Sequence, residues 1–259
     1  MTPTVPQLPG RSLPRTAGPA LVLVAHGSRD PRSAATVSEV VAAISAARPE
    51  LAVYPAFLDL NAPSVDRAVD AVAAAGHRAT AVVPLLLGNA FHARVDLPGL
   101  LAAARARHPF LSVTQAQVLG PDPRLIGALR DRILETGADP RDPALGIAVA
   151  AVGASTPAAN ERTHRLVRPL VAGTAWRAET CFATTAPALP EAITRLRERG
   201  CARIVVAPWF LAPGRLTDRL RDVAIGHRFA DPLGAHRAVV DVVLDRYRTA
   251  VTVPLPLSA

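Results

Sequence analysis

ALVLVAHGSRDPRSAATVSEVVAAISAA, residues 20–47, decides the fold. Its opening, ALVLVAHGS, is a short apolar run that reads as a buried strand. From Pro31 to Ala47 the apolar residues Val37, Val40, Val41 and Ile44 return at helical spacing. The same unit then recurs. LAVYPAFLDL (51–60) reads as a strand, followed by a helix from Ser64 to Ala75 that stops at Gly76. ATAVVPLLLG (79–88) is a third strand with a helix at Leu97–Arg107, and LSVTQAQVLG (111–120) a fourth with a helix at Pro123–Glu135. Apolar runs alternating with amphipathic helices predict a parallel sheet covered on both faces.

After a turn-rich joint, TGADPRDPALG (136–146), the pattern starts again. LGIAVAAVGAS (145–155) reads as a strand, Pro157–Val171 as a helix, WRAETCFATT (176–185) as a strand and PEAITRLRERG (190–200) as a helix. RIVVAPWFL (203–211) is a further strand, and basic helical stretches follow to Arg248. The halves also match residue by residue. AHGSRDP (25–31) lies over AVGASTP (151–157) at an offset of 126, and NAPSVDRAV (61–69) over TAPALPEAI (185–193) at 124. AVVPLLL (81–87) lies over IVVAPWFL (204–211), with Pro84 on Pro208, again at 124. Three landmarks in order at nearly constant spacing indicate an internal duplication. The fold expected is α/β, with two similar parallel-sheet domains: residues 20–136, and a degenerate repeat at 145–248. Residues 1–19, rich in Pro, Gly and Thr, are expected to form a mobile tail.

The duplication singles out one site. In open α/β sheets, ligands bind beyond the carboxyl ends of the strands. His26 ends the first strand, Asp59 the second, and His92 follows the third. Their counterparts at the offsets above are Val152, Ala183 and Leu216, all apolar. One site kept and its twin erased marks a single functional site in the first half. A lone histidine at a strand end is more often a hydrogen-bonded surface or core residue than a ligand. His77, His108, His164, His227 and His236, beside turns or on polar faces, are read as solvated. Two imidazoles and a carboxylate make a nitrogen–oxygen site suited to Fe, Co, Ni or Zn. Neutral imidazole also takes protons near neutral pH. Such a site suits a reaction in which a metal enters a ligand as protons leave.

Composition sets the outer bounds. The chain has 259 residues, 50% of them hydrophobic, which rules out wholesale disorder. No apolar run approaches the ~18–20 residues of a membrane span. Arg11 and Arg15 ahead of ALVLVA imitate a signal peptide faintly, but the apolar run is too short and a charged helix follows. Cys181 and Cys201, far apart, exclude a disulfide scaffold, a zinc ribbon and a cysteine-ligated iron–sulfur cluster. They fit a reducing cytoplasm. The net charge is +8, and with no lysine every one of the 29 basic residues is arginine. Codon bias accounts for most of this. Arginine nonetheless presents a planar fork suited to carboxylates and phosphates, so an anionic partner is expected.

LVLVAHGSRDPRS, AFLDLNAPSVDRAV and VVPLLLGNAFHARVDLP, in this order, resemble the sirohydrochlorin chelatase family. The resemblance covers about residues 20–245, with APWFLAPGRLTDRL matching the degenerate copy of two-domain members. It implies two α/β domains facing each other across a cleft, and insertion of Fe2+ or Co2+ into sirohydrochlorin without ATP. The metal is then a substrate, with no permanently bound cofactor. Nothing marks a cobalt-specialised enzyme, so iron is placed first. The family's two histidines carry over to His26 and His92, as metal ligands or proton acceptors. Asp59 stands where the family usually has glutamate, one methylene longer. Sirohydrochlorin carries eight carboxylates, which suits an arginine-only basic protein. Arg29, Arg94 and Arg215 are the candidates to hold them, with Ser28 and Asn89 as polar contacts. Val152 and Leu216 form an apolar wall for one macrocycle face.

Four rivals remain. A histidine phosphatase needs arginine immediately before its histidine, where this chain has Ala25. Ser28 in HGSRD is not the elbow of a serine hydrolase. A non-catalytic tetrapyrrole or metal carrier would use the same pocket for binding alone. Nucleic-acid binding has only charge in its favour, with 4% aromatic residues and no zinc finger.

Overall fold

The computed structural model describes residues 18–88 and 96–252. The first half runs β1 (Ala20–Ala25), α1 (Pro31–Ala47), β2 (Val53–Phe57), α2 (Val65–Ala74), β3 (Ala79–Pro84), α3 (Leu97–Arg107), β4 (Ser112–Gln115) and α4 (Pro123–Glu135). The second runs β5 (Leu145–Ala151), α5 (Pro157–His164), α6 (Val167–Val171), β6 (Arg177–Phe182), α7 (Leu189–Glu198), β7 (Arg203–Pro208), α8 (Arg215–Val223), β8 (Arg228–Phe229) and α9 (Arg237–Thr252). The strands form two parallel four-stranded sheets of identical order, β2-β1-β3-β4 and β6-β5-β7-β8. Leu21 lies between Val53 and Ala81, and Ile147 between Ala178 and Val205. The duplicated α/β architecture expected from the sequence is present.

The central strands β1 and β5 are buried along their whole length, which is why they read as unbroken apolar runs. Helix starts are written locally. Asp30 caps α1, its carboxylate accepting the Arg32 N–H, with Pro31 preset for the first turn. Asp122, Pro123 and Arg124 repeat that device at α4.

Three segments depart from expectation. The stretch 157–171 is two helices, broken at Arg165–Leu166, because α5 has no apolar face and buries none of its residues. The basic stretch after β7 contains the short strand β8 between its helices. Gly18 and Pro19 are held by side chains: the Gly18 carbonyl lies 3.0 Å from His77 Nδ1, and that of Pro19 accepts the Tyr247 hydroxyl at 2.6 Å. The rest of the expected tail, residues 1–17, lies outside the described residues.

The halves exchange their last helices. α4 lies against β7 and α6 of the second half, while α9 lies against β3, β4 and α1 of the first. One hydrophobic core therefore runs through both, joining Leu21 and Leu23 of β1 to Ile147 and Val149 of β5 through Leu125, Leu129 and Val243 of the exchanged helices. Full burial of each such side chain contributes roughly 1.5–3 kcal/mol. Arginines close the seam. Arg130 donates to the carbonyls of Pro169, Leu170 and Ala172 at 3.0, 2.6 and 3.0 Å, satisfying acceptors that the end of α6 leaves open. Arg246 donates to Val118 and Leu119, and Arg228 to Thr136 and Gly137. Part of the arginine content thus serves the fold.

Candidate active site

His26 follows directly on β1, and Asp59 stands two residues beyond the neighbouring strand β2. The Leu58 N–H donates to the Ala25 carbonyl and the Asp59 N–H to the His26 carbonyl, each at 3.0 Å. Pairing thus continues past the strands and sets the two residues side by side at the carboxyl edge of the sheet. Both are exposed.

Close loop packing fixes this pair. Gly27 adopts a φ of 95°, and a Cβ there would lie 1.8 Å from the Asp59 carbonyl oxygen. Only glycine allows that approach. The Ser28 N–H donates to Asn61 Oδ1 at 2.7 Å, and Ser28 Oγ accepts the Asp30 N–H at 3.0 Å. Asp59 Oδ1 accepts the N–H of Leu60 at 2.7 Å. Leu60 itself has a φ of 63°, the sole non-glycine in the left-handed region among the described residues. For an L-residue with a Cβ this costs roughly 1–2 kcal/mol.

A clasp joins this corner to the second half. Arg32 donates to both carboxylate oxygens of Asp218 on α8, at 3.1 and 2.5 Å, and to both of Asp30, at 3.0 and 2.6 Å. The Arg32 guanidinium, helped by its backbone N–H, holds the Asp30 carboxyl down at about 2, and Arg215 adds a smaller attraction. Asp218 is likewise lowered, chiefly by Arg32, whose own ionisation is pushed upward. Arg215, exposed at the first residue of α8, therefore sits where its charge reaches the loop that carries His26.

Among the expected contacts, Ser28 is half-buried in the His26 loop and Arg29 is exposed beside it. His92, Asn89 and Arg94 lie outside the described residues. Within the described residues, no group of three or more His, Cys, Asp or Glu side chains is placed to hold a metal ion.

Two readings are corrected. The structural counterpart of Asp59 is Thr184 rather than Ala183, since the Thr184 N–H donates to the Val152 carbonyl at 3.0 Å, as Asp59 does to His26. The loop from Phe182 to Pro187 is one residue shorter than that from Phe57 to Pro63, which displaces a constant-offset alignment. The twin of the carboxylate is therefore a hydroxyl, which donates to the Val152 carbonyl at 2.8 Å. His77 is also not solvated. It is 8% exposed, bonded to Gly18 and set edge-on to Tyr54.

Val152, the twin of His26, is 44% exposed, and Leu216 is half-buried. The second half keeps a cavity of about 670 Å³ at its own strand ends, lined by residues that include Ser155, His164, Phe182 and Thr185. His164 packs edge-on against Phe182 there, in a role the sequence did not signal.

Comparison with known proteins bears on this geometry. The CbiX family model matches residues 20–136 and 146–250, both halves of the duplication. The chain belongs to the CbiX family. It is 28% identical over 209 residues to the sirohydrochlorin cobaltochelatase of Priestia megaterium, covering 79% of this chain and 68% of that one. It is also 28% identical over 208 residues to the sirohydrochlorin ferrochelatase of the same organism, covering 78% and 77%. SirB from Bacillus subtilis, solved with Fe3+, superposes with a TM-score of 0.77 at 22% identity over 90% of this chain and 95% of its own, a likeness of fold. The resemblance to the sirohydrochlorin chelatases is thereby confirmed, and the CbiX-family chain is a metal chelatase. No helix among the described residues is long and apolar enough to cross a membrane.

Proposed function

We propose that this CbiX-family chelatase inserts a divalent metal, Fe2+ ahead of Co2+, into sirohydrochlorin without ATP, at a site built from His26, Asp59 and His92. One observation carries the reading. The family match covers both halves, and the first half alone sets a histidine and a carboxylate side by side at its strand ends. In the reaction the macrocycle loses two pyrrole protons and gains one metal ion, so charge balances without a further reactant. His26 and His92 bind the incoming metal or take up those protons, and Asp59 assists as carboxylate. Bending the macrocycle lifts pyrrole N–H groups out of plane, and a cleft between the halves would favour that shape.

Arg29, Arg94 and Arg215 hold peripheral carboxylates, with Ser28 and Asn89 as polar contacts. Val152 and Leu216 cover the macrocycle face away from the histidines. Residues 20–136 supply the metal site and 145–248 the opposing wall, in a cytoplasmic setting. The metals named for the similar relatives, cobalt and iron, support a metal substrate.

The test is anaerobic incubation of purified protein with sirohydrochlorin and Fe2+, Co2+ or Ni2+, following the absorbance change against a protein-free control. Acceleration that His26→Ala and His92→Ala each abolish supports the reading. Tight binding of the macrocycle without acceleration makes the protein a carrier.

A further inference from the structure

Leu60 is the wrong residue for its backbone. Its φ of 63° suits glycine or asparagine, yet it carries a branched apolar side chain that is 52% exposed and belongs to no core cluster. Among the described residues, backbone bonds hold that conformation in place, but the Leu60 side chain joins no core cluster. Strained residues of this kind persist where neighbours over-determine them, and they gather at ligand clamps.

The duplication places this strained residue in one half only. Between Phe57 and Pro63 the first half has Leu58, Asp59, Leu60, Asn61 and Ala62; between Phe182 and Pro187 the second has Ala183, Thr184, Thr185 and Ala186. With Asp59 matched to Thr184 by its backbone bond, Leu60 and Asn61 stand against the single Thr185. Asn61 reaches the Ser28 N–H at 2.7 Å. In the second half the matching N–H, of Ala154, is taken by Asn160 from α5 at 2.8 Å, so its loop needs no extra residue. The longer loop thus does two things: it ties itself to the His26 loop, and it turns Leu60 outward. It does so only in the half that holds His26 and Asp59. The strap is held rigidly, because Gly27 packs on the Asp59 carbonyl and Asp59 Oδ1 holds the Leu60 N–H.

From this we infer that Leu60 is a substrate-contact residue, its side chain pressing on the apolar face of the planar macrocycle beside Asp59. This rests on the chelatase reading above. The contact supplies binding and fixes how far the ring slides over the carboxylate, while the proton and metal chemistry stays with its neighbours.

Three variants test it. Leu60→Ala removes the side chain and keeps the strain, Leu60→Gly removes both, and Leu60→Asn puts a polar group in a conformation it tolerates. Metal-free sirohydrochlorin is titrated into each and the Kd read from absorbance; KM and kcat follow from anaerobic metal insertion. All three are expected to raise Kd and KM about tenfold, the scale of losing two buried methylenes. kcat should stay within about twofold, and Leu60→Gly and Leu60→Asn should melt no lower than wild type. Wild-type Kd and KM in the alanine and glycine variants, beside a wild type that inserts metal, overturn the contact and leave the chelatase reading standing. A fall in kcat at unchanged KM also overturns it, since Leu60 would then act through Asp59. A wild type that does not bind sirohydrochlorin overturns both.

Discussion

Asp59 donates its backbone N–H to the carbonyl of His26 at 3.0 Å, so the two residues are coupled through the main chain. The side chains can then differ in chemistry while their spacing is set by sheet register. Substitutions that keep the backbone should change chemistry alone. His26→Ala and Asp59→Asn are each expected to lower kcat for metal insertion by about a hundredfold or more, the scale of losing a positioned proton acceptor. Asp59→Glu should retain most activity. Val152→Ala, at the twin of His26, should change kcat less than threefold. Equal damage from His26→Ala and Val152→Ala would sink the single-site reading.

Gly27 and Gly153 share a φ of 95° but differ in what surrounds them. A Cβ on Gly27 meets the Asp59 carbonyl, main-chain atoms that cannot move without displacing the carboxylate. On Gly153 it meets the Thr185 methyl at 2.9 Å and the Thr184 hydroxyl at 3.0 Å, which can rotate, and the Phe182 Cβ at 3.1 Å, which must give by a few tenths of an ångström. Gly27→Ala is expected to cost about 3 kcal/mol or more and to abolish metal insertion. Gly153→Ala should cost less, from backbone strain and the tight contact with Phe182 Cβ, and keep activity. Urea unfolding with the chelation assay separates the two.

How much of this was legible depended on whether the signal was local. The bounds of α1, α3 and α4 stand in the sequence because Asp-Pro and Leu-Pro starts and capping side chains are local chemistry. His26 and Asp59 stand out as candidates in the sequence because the duplication sets each against a twin of different chemistry. The Asp59–Thr184 match does not, since a one-residue deletion shifts the register without leaving a landmark. Nor does the helix exchange. α4 and α9 carry the same apolar periodicity whichever sheet they cover, so only tertiary packing decides between them. Leu60 reads as an ordinary strand-end leucine until its φ is known.

The clasp of Arg32 on Asp30 and Asp218 makes an acid-side prediction. Both carboxyls are held below their usual range by the guanidinium, Asp30 at about 2. A carboxylate lowered in the folded state stabilises fully above its unfolded value, near 3.9, and that contribution disappears as pH falls through the folded value. The stability tied to this clasp should therefore be constant from pH 7 to about 5 and fall between about 4 and 2. In Asp218→Asn, the Tm at pH 6 should drop slightly and its fall towards pH 2.5 should be shallower than in wild type. Because the Arg32 and Asp218 side chains stand nearly half open to solvent, 0.5 M salt should narrow the difference between the two proteins. An unchanged acid limb in Asp218→Asn would show that the clasp is not engaged in solution.

The exchange of α4 and α9 makes each half's folding depend on the other. α9 buries Val239, Val242 and Val243 in the shared core, and Tyr247 donates its hydroxyl to the Pro19 carbonyl just before β1. Ending the chain after Gly234 removes a helix that belongs by sequence to the second half and by packing to the first. If each half were self-contained, the truncated protein would keep an intact first half. The exchanged packing dictates otherwise, because β3 and β4 lose the cover of one face and the core shared with β5 opens. The expected outcome is loss of the cooperative melting transition, with limited proteolysis cutting within residues 20–136 as readily as within 145–234. A protease-resistant first half in the truncated chain would show that α9 is dispensable there. Arg130→Lys probes the same seam more gently. The guanidinium grips the Leu170 carbonyl through both Nε and Nη2, while Nη2 also reaches Pro169 and Ala172; one ammonium lacks the second nitrogen, so a loss of about 1 kcal/mol in urea unfolding is expected, with metal insertion per folded molecule unchanged.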